Sequence, residues 1–266
     1  MTVYIGSNEI LDAKLGSDQV EKLYLGETEV WSNTPPTPPS INALKLETAG
    51  SNSVTIDSGL LSGISPVFEY SNDGETWTSW NINNSLSFGN GTPLYIRGTN
   101  TALVYKGSKR VHFSFDSYTN DTNLVDCSGN IMALFDYSDI VTEFPSGAEH
   151  GLQLFFSENT SLRTPPSLPA LTLTIFCYNA MFKNCTHLNA INYLPATTMG
   201  TSCYGDMYNG CSLIKMSETQ TGEYVNEYSF GGTIGGSASN MFANTGGTFT
   251  GSPTDTTYYT SNEVIS

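Results

Sequence analysis

Basic residues are scarce in this chain: 10 Lys+Arg stand against 25 Asp+Glu, a formal charge of -15. From residue 164 onward only Lys183 and Lys215 are basic. Binding a phosphate backbone needs clustered cations that displace counterions, so nucleic acid is not expected as a partner. Charge of either sign is sparse, at 13% of residues against about 25% in an average soluble domain. Ser, Thr, Asn and Gly fill the deficit, a composition that suits turns and β-structure.

Long apolar runs are missing too. Nothing approaches the roughly 18 residues of a membrane span, so no membrane insertion is expected. The opening MTVYIGSNEILDAKLG has neither a basic n-region nor an apolar h-region, and Met1 reads as an unprocessed start. Cysteine is limited to Cys127, Cys177, Cys185, Cys203 and Cys211, an odd number in a chain too long to need a disulfide framework, so free thiols are expected.

Catalytic signatures are absent as well. There is no Gly-rich phosphate loop, HExxH, GxSxG or Cys/His nucleophile arrangement, and His112, His150 and His187 are isolated. Neither catalytic residues nor a cofactor are expected. The Asp116, Asn120, Asp121 and Asn123 cluster lacks the Gly and terminal Glu of a calcium loop and reads as Asx turns. Paired carboxylates for glycoside hydrolysis are recognised only by their separation in space, so a depolymerase stays open as an alternative.

What is present is repetition. In the first 31 residues an apolar residue, Gly, three variable residues and another apolar residue recur every ten positions. The copies are Ile5-Gly6 to Ile10, Leu15-Gly16 to Val20, and Leu25-Gly26 to Val30. Each glycine can supply the positive φ of a tight turn, which predicts short strands joined at Gly6, Gly16 and Gly26. Such a small sheet lacks a core of its own and needs a partner surface. The stretch 32–40 (SNTPPTPPS) is a Pro-rich, semi-rigid spacer, so residues 1–31 read as an anchoring or oligomerisation segment.

Residues 41–118 show short alternating runs punctuated by turn signals, with Asn72-Asp73-Gly74 as the clearest hairpin. They predict a small antiparallel, Ig-like β-sandwich. Trp77 and Trp80 are the candidate ligand surface, because aromatic faces stack on sugar CH groups; packing in the core is the more frequent fate of such residues.

Residues 119–266 carry a second repeat, of 26 residues. Cys177 and Cys203, Met181 and Met207, and Cys185 and Cys211 are equivalent positions in successive copies. Within a copy, Cys177, Met181 and Cys185 follow at i, i+4 and i+8, one face of a short helix, with Ser202 as a candidate N-cap of the later copy. Leu188 to Leu194 fits a strand that Pro195 stops. One helix-plus-strand unit per 20 to 29 residues is the signature of a leucine-rich-repeat solenoid, in which the cysteines become a stacked internal ladder. Zinc needs four converging ligands, whereas these cysteines sit eight apart, so buried structural thiols outweigh a metal site.

The run CYNAMFKNCTHLNAINYLPATTMGTSCYGDMYNGCSL resembles the BspA-type leucine-rich repeats. The upstream YSNDGETWTSW to LYIRG segment and SGNIMALF resemble the domain and leader that commonly precede those repeats, and NMFANTGGTF resembles their closing segment. The head YIGSNEI to YLGETEVW is similar to short N-terminal modules of phage fibre and appendage proteins. The chain departs from the repeat family in placing Asn159 where later copies have Cys.

The patterning predicts a mainly β protein with short helices, and the resemblances imply a non-enzymatic, virion-surface structural protein of a gut-type bacteriophage. On that expectation Gly6, Ile10, Gly16, Val20, Gly26, Val30 and Trp31 dock to a capsid or tail protein, and the outer domains touch host cell-surface glycan or protein. A homo-oligomer is expected, with a trimer taken from fibre proteins generally. A bacterial cell-surface adhesin of the same repeat family is the alternative, and a glycan depolymerase on a fibre the third.

Overall fold

The structure is a computed structural model that describes strand backbone within 4–32 and residues 41–57, 65–105, 109–139, 141–146, 148–216 and 235–251. The chain is mainly β, with three short 3-10 turns at Asp121–Asn123, Ile131–Leu134 and Gly235–Ala238 among the described residues. It divides into two compact units, Met1–Ile41 and Asn42–Ser266.

In the first unit the described residues form three antiparallel hairpins: β1 (Tyr4–Ile5) with β2 (Asn8–Glu9), β3 (Lys14–Leu15) with β4 (Asp18–Gln19), and β5 (Lys22–Leu25) with β6 (Thr28–Ser32). Gly6, Ile10, Gly16, Val20 and Gly26 lie outside the described residues. Trp31 pairs with Leu23, and Val30 is the extra residue of a bulge in β6, since Tyr24 pairs with Glu29.

The second unit opens with β7 (Leu44–Glu47), β8 (Ser51–Ile56), β9 (Phe68–Ser71), β10 (Thr78–Ser79), β11 (Leu86–Gly89) and β12 (Leu94–Gly98). A small hairpin of β13 (Val104–Tyr105) and β14 (Lys109–Arg110) leads to β15 (Phe113–Phe115), β16 (Val125–Gly129) and β17 (Leu162–Thr164). One sheet has the order β10-β9-β12-β7-β16-β17 and a second has β11-β8-β15. Their period-two patterning buries Leu44 and Leu46 of β7, Leu94 and Ile96 of β12, and Val54 and Ile56 of β8. Phe68 of the first sheet meets Phe113 of the second at 5.8 Å between ring centroids.

The hairpin expected around Asn72-Asp73-Gly74 forms with a longer loop. Tyr70 pairs with Thr78, and the Asp73 carboxylate closes the loop by accepting from the Glu75 and Thr76 N–H groups, each at 2.8 Å. Those bonds hold the Asp73 carboxyl well below the usual range. Gly74 takes a φ of 77° there.

The 26-residue repeat builds stacked coils, but the segments expected to be helical are not helices. Around 150–158, 176–184, 202–210 and 240–244 the backbone runs as consecutive turns. Every fourth residue is left-handed: His150, Leu154 and Glu158, then Phe176, Ala180 and Asn184, then Ser202, Asp206 and Gly210, with Asn240 and Asn244 in the last coil. Ser202, at φ 53°, is therefore one of these positions and not an extended N-cap.

The left-handed residues turn alternate N–H groups out of the coil. Phe155, Met181 and Met207 donate three residues back, to Leu152, Tyr178 and Tyr204. The intervening groups donate to the next coil: Leu152 to Cys177 (2.7 Å), Phe156 to Met181 (3.0 Å), Phe182 to Met207 (3.0 Å) and Tyr208 to Met241 (2.9 Å). An α-helix would keep all these bonds inside one segment. The i, i+4 side-chain spacing is common to both arrangements, which is why the sequence pattern suggests a helix.

The strand expected over 188–194 is also displaced. The paired strands lie beyond the Leu-Pro-Ala segments, as β18 (Thr172–Leu173) and β19 (Thr198–Met199), parallel and in 26-residue register. Inside the coils Phe156, Phe182, Tyr208 and Phe242 form a near-parallel stack, with centroids 5.8, 5.6 and 5.5 Å apart in order. β16, beyond residue 118, sits in the first sheet between β7 and β17, and β17 belongs to the first coil. One continuous apolar core thus runs from Leu44 to Phe242.

Candidate functional site

A two-part groove opens where the first sheet passes into the coils. Its polar part encloses about 790 Å³ and is lined by Asp121, Asp126, Arg163, Thr164, His187 and Asn189, with Leu213 at its side. Its apolar part encloses about 590 Å³ between a lip at 164–169 (TPPSLP) and Ile191, Tyr193 and Pro195. Thr164 and Ala190 line both parts. Each volume is in the range, about 300–1,000 Å³, that takes a small organic ligand.

The parallel pairing of β16 and β17 brings Asp126 beside Arg163 and Thr164. Arg163 Nε donates to Asp126 Oδ1 at 2.8 Å, and a second guanidinium nitrogen donates to Oδ2. Thr164 Oγ1 donates to Asp126 Oδ1 at 3.3 Å. A forked pair of this kind fixes both side chains and leaves the groove with one guanidinium already committed.

On the other wall, His187 Nδ1 lies 2.6 Å from the Thr160 carbonyl, so Nδ1 carries the proton and Nε2 is the free acceptor when the ring is neutral. The imidazole stacks on Tyr118 with centroids 3.8 Å apart. The Tyr118 hydroxyl donates to Asp121 at 2.9 Å, and that bond to a carboxylate raises the phenol above its usual value. Under the apolar part, Asn192 ties the wall to the ring stack: its N–H donates to the Tyr208 hydroxyl (3.1 Å), which donates back to Asn192 Oδ1 (2.8 Å). Tyr193 is left 56% exposed and Leu213 51%.

Trp80 is buried against Phe68 and Phe113, and its Nε1–H donates to Asn84 O at 2.9 Å. It offers no open ring face to a ligand. Trp77 is half-buried, and the Arg97 guanidinium lies 3.7 Å from its ring centre and 3.9 Å from that of Tyr137. Glu69 holds Arg97 in that slot at 2.8 Å. Cys177, Met181, Cys185, Cys203, Met207 and Cys211 are all fully buried, and the cysteines are free thiols. Cys185 and Cys211 donate across the stack to Phe156 O and Phe182 O, each at 3.0 Å.

The Asx cluster turns on its own backbone. Asn120 Oδ1 accepts from Thr122 N–H and Asn123 Oδ1 from Thr119 N–H. Among the described residues, no group of three or more His, Cys, Asp or Glu is arranged to hold a metal ion, and no helix is long and apolar enough to cross a membrane. Sequence reasoning missed the groove, whose lining comes from four separate stretches of chain. No family model matches this chain, and neither a curated protein nor a solved structure matches it.

Proposed function

We propose that the chain is a structural protein of a bacteriophage virion, a head or tail fibre or appendage. It attaches through residues 1–31 to capsid or tail protein and presents the body 42–266 to glycan or protein on the host cell surface, without catalysing a reaction. The observation that carries this reading is the division into a hairpin unit, Met1–Ile41, and a separate body, Asn42–Ser266, across a Pro-rich spacer. Two-stranded hairpins recurring every ten residues suit docking by strand pairing, in which a partner strand extends the small sheet. A stack of coils bonded rung to rung suits a rigid body that bears load.

On this reading the body is an Ig-like β-sandwich continued by a short leucine-rich-repeat solenoid. The 26-residue ladder of hydrogen bonds and the resemblance to BspA-type repeats support the second part. Low affinity per site is raised by many copies on one particle, and assembly of the head into a homo-oligomer, a trimer in the simplest case, supplies part of that multiplicity.

The test is the solution mass of the full chain beside a 41–266 fragment, by light scattering after size exclusion, followed by incorporation of each into particles. The full chain is expected to self-associate and incorporate, and the fragment to do neither. Incorporation of the fragment would refute the anchor, and release of reducing sugar from host glycan by the purified chain would favour a depolymerase.

A further inference from the structure

We infer that the two-part groove is the ligand site of the body, and that its ligand is an uncharged oligosaccharide. This rests on the adhesive reading and replaces Trp77 and Trp80 as its surface, since Trp80 is buried and the Trp77 face carries Arg97.

Three observations point to that chemistry. First, the groove joins two kinds of surface along one line. The apolar part presents proline rings and the exposed Tyr193, flat faces that suit the CH side of a sugar ring. The polar part presents Asn189, Thr164, His187 and carboxylate oxygens, donors and acceptors in the mixture that sugar hydroxyls need. A purely apolar ligand would strip water from this polar wall and put no hydrogen-bonding group in its place, which favours a ligand that carries hydroxyls.

Second, the charge excludes anionic sugars. Asp121 and Asp126 line the polar part, and Arg163 spends both arms of its fork on Asp126. A sialic or uronic acid placed there finds no uncommitted guanidinium among the described lining residues and meets the Asp121 carboxylate, a repulsion that decays over the Debye length of roughly 8 Å at physiological salt, on a chain of formal charge -15.

Third, the walls are preformed. The Asp126–Arg163 fork, the His187–Tyr118 stack and the Asn192–Tyr208 exchange each fix a wall residue from behind. Little ordering then remains to be done on binding.

Saturation-transfer NMR and calorimetry on the full chain test this, with neutral glucose, galactose and N-acetylglucosamine oligomers beside sialylated and uronic-acid oligomers. Neutral oligomers are expected to bind, and Tyr193→Ala and Asn189→Ala to weaken them at least tenfold with the thermal midpoint unchanged for the exposed Tyr193. Trp77→Ala is expected to leave binding intact. Binding insensitive to both groove variants would overturn the site while leaving the adhesive reading standing. Preference for anionic oligomers, or adhesion to host cells with no sugar bound, would overturn the ligand class. Loss of both sugar binding and cell adhesion in the unaltered chain would overturn the adhesive reading itself.

Discussion

Asn159 grips β15 at both ends of its amide: Nδ2 donates to the Phe113 carbonyl at 2.7 Å, and Oδ1 accepts from the Phe115 N–H at 2.7 Å. It occupies the repeat position of Cys185 and Cys211, whose thiols reach back to the preceding coil. The first coil has no preceding coil, only the edge of the second sheet. A thiol has a weak donor and a weak acceptor on one sulfur and cannot span a strand's N–H and C=O two residues apart, whereas an amide carries its donor and acceptor on separate atoms and can. The departure from the repeat pattern is therefore the joint between sheets and coils.

Asn159→Ala leaves a buried N–H and a buried carbonyl without partners, so a loss of about 2–4 kcal/mol is expected in urea unfolding of the full chain. Asn159→Asp should cost at least as much, because a carboxylate oxygen would then face the carbonyls of Phe113 and Phe156. A change under about 0.5 kcal/mol, the level of an ordinary surface substitution, would mean the joint is held elsewhere.

The left-handed positions make a second prediction. Glu158 is exposed at φ 65° while its N–H donates to Lys183 O at 2.7 Å. A non-glycine residue there costs about 1–2 kcal/mol, more than the entropy that glycine loses on ordering, about 0.5–1 kcal/mol. Glu158→Gly should stabilise the chain by up to about 1 kcal/mol. Glu149→Gly, at an exposed position outside the left-handed set, should destabilise it by about 0.5–1 kcal/mol. Equal destabilisation by both would argue that the ladder imposes no strain.

The same positions show what the sequence carries. The 26-residue period, the buried columns through Cys177 and Met181, and the alternating strands before residue 118 are all legible, because burial alone sets them. The turn conformation is not legible from i, i+4 spacing, which a helix shares. A signal was nonetheless present: the column just before Cys185, Cys211 and Thr245 reads Asn184, Gly210 and Asn244, residue types that tolerate a left-handed backbone. The groove had no such signal. Asp126 and Arg163 are 37 positions apart and meet only through parallel strand pairing, and His187 reaches Tyr118 across a further break in sequence. The two indoles could not be told apart in TWTSW either: core packing, the more frequent fate, is where Trp80 ends, while Trp77 is half-buried with Arg97 over its face.

The thiols should be chemically silent in the folded chain. Burial pushes the Cys127, Cys177, Cys185 and Cys211 thiols up, and all five cysteines are at most 1% exposed. The thiolate is the reactive species, so ionisation disfavours labelling at those four; the Cys203 thiol is lowered by its hydrogen bond with Cys177, and there burial alone keeps the reagent out. An aromatic disulfide reagent at pH 8 is expected to react with none of them in the native state and with all five in denaturing urea. Rapid native labelling of one or more would reveal a coil that opens locally far below the global unfolding energy.

His112 gives the chain a pH-dependent stability with a definite sign. Its Nε2–H donates to Ser157 O at 2.8 Å and its Nδ1 accepts from the Ser114 hydroxyl at 3.0 Å, so the neutral ring bridges β15 to the first coil. Burial, helped by the nearby Arg110 charge, lowers its pKa against the opposing pull of the Ser157 bond and of Asp57 and Glu158. The unfolded chain then takes up a proton near pH 6.5 that the folded chain refuses until lower pH. The contribution of His112 is complete above pH 6.5 and declines as pH falls from there toward the lowered folded value. His112→Gln removes the titration, so unfolding free energies between pH 7.5 and 5.5 should fall less steeply in the variant, by at most about 1.4 kcal/mol per pH unit. Identical slopes would show that the ring is as free to protonate in the folded chain as in the unfolded one, and that burial does not hold it neutral.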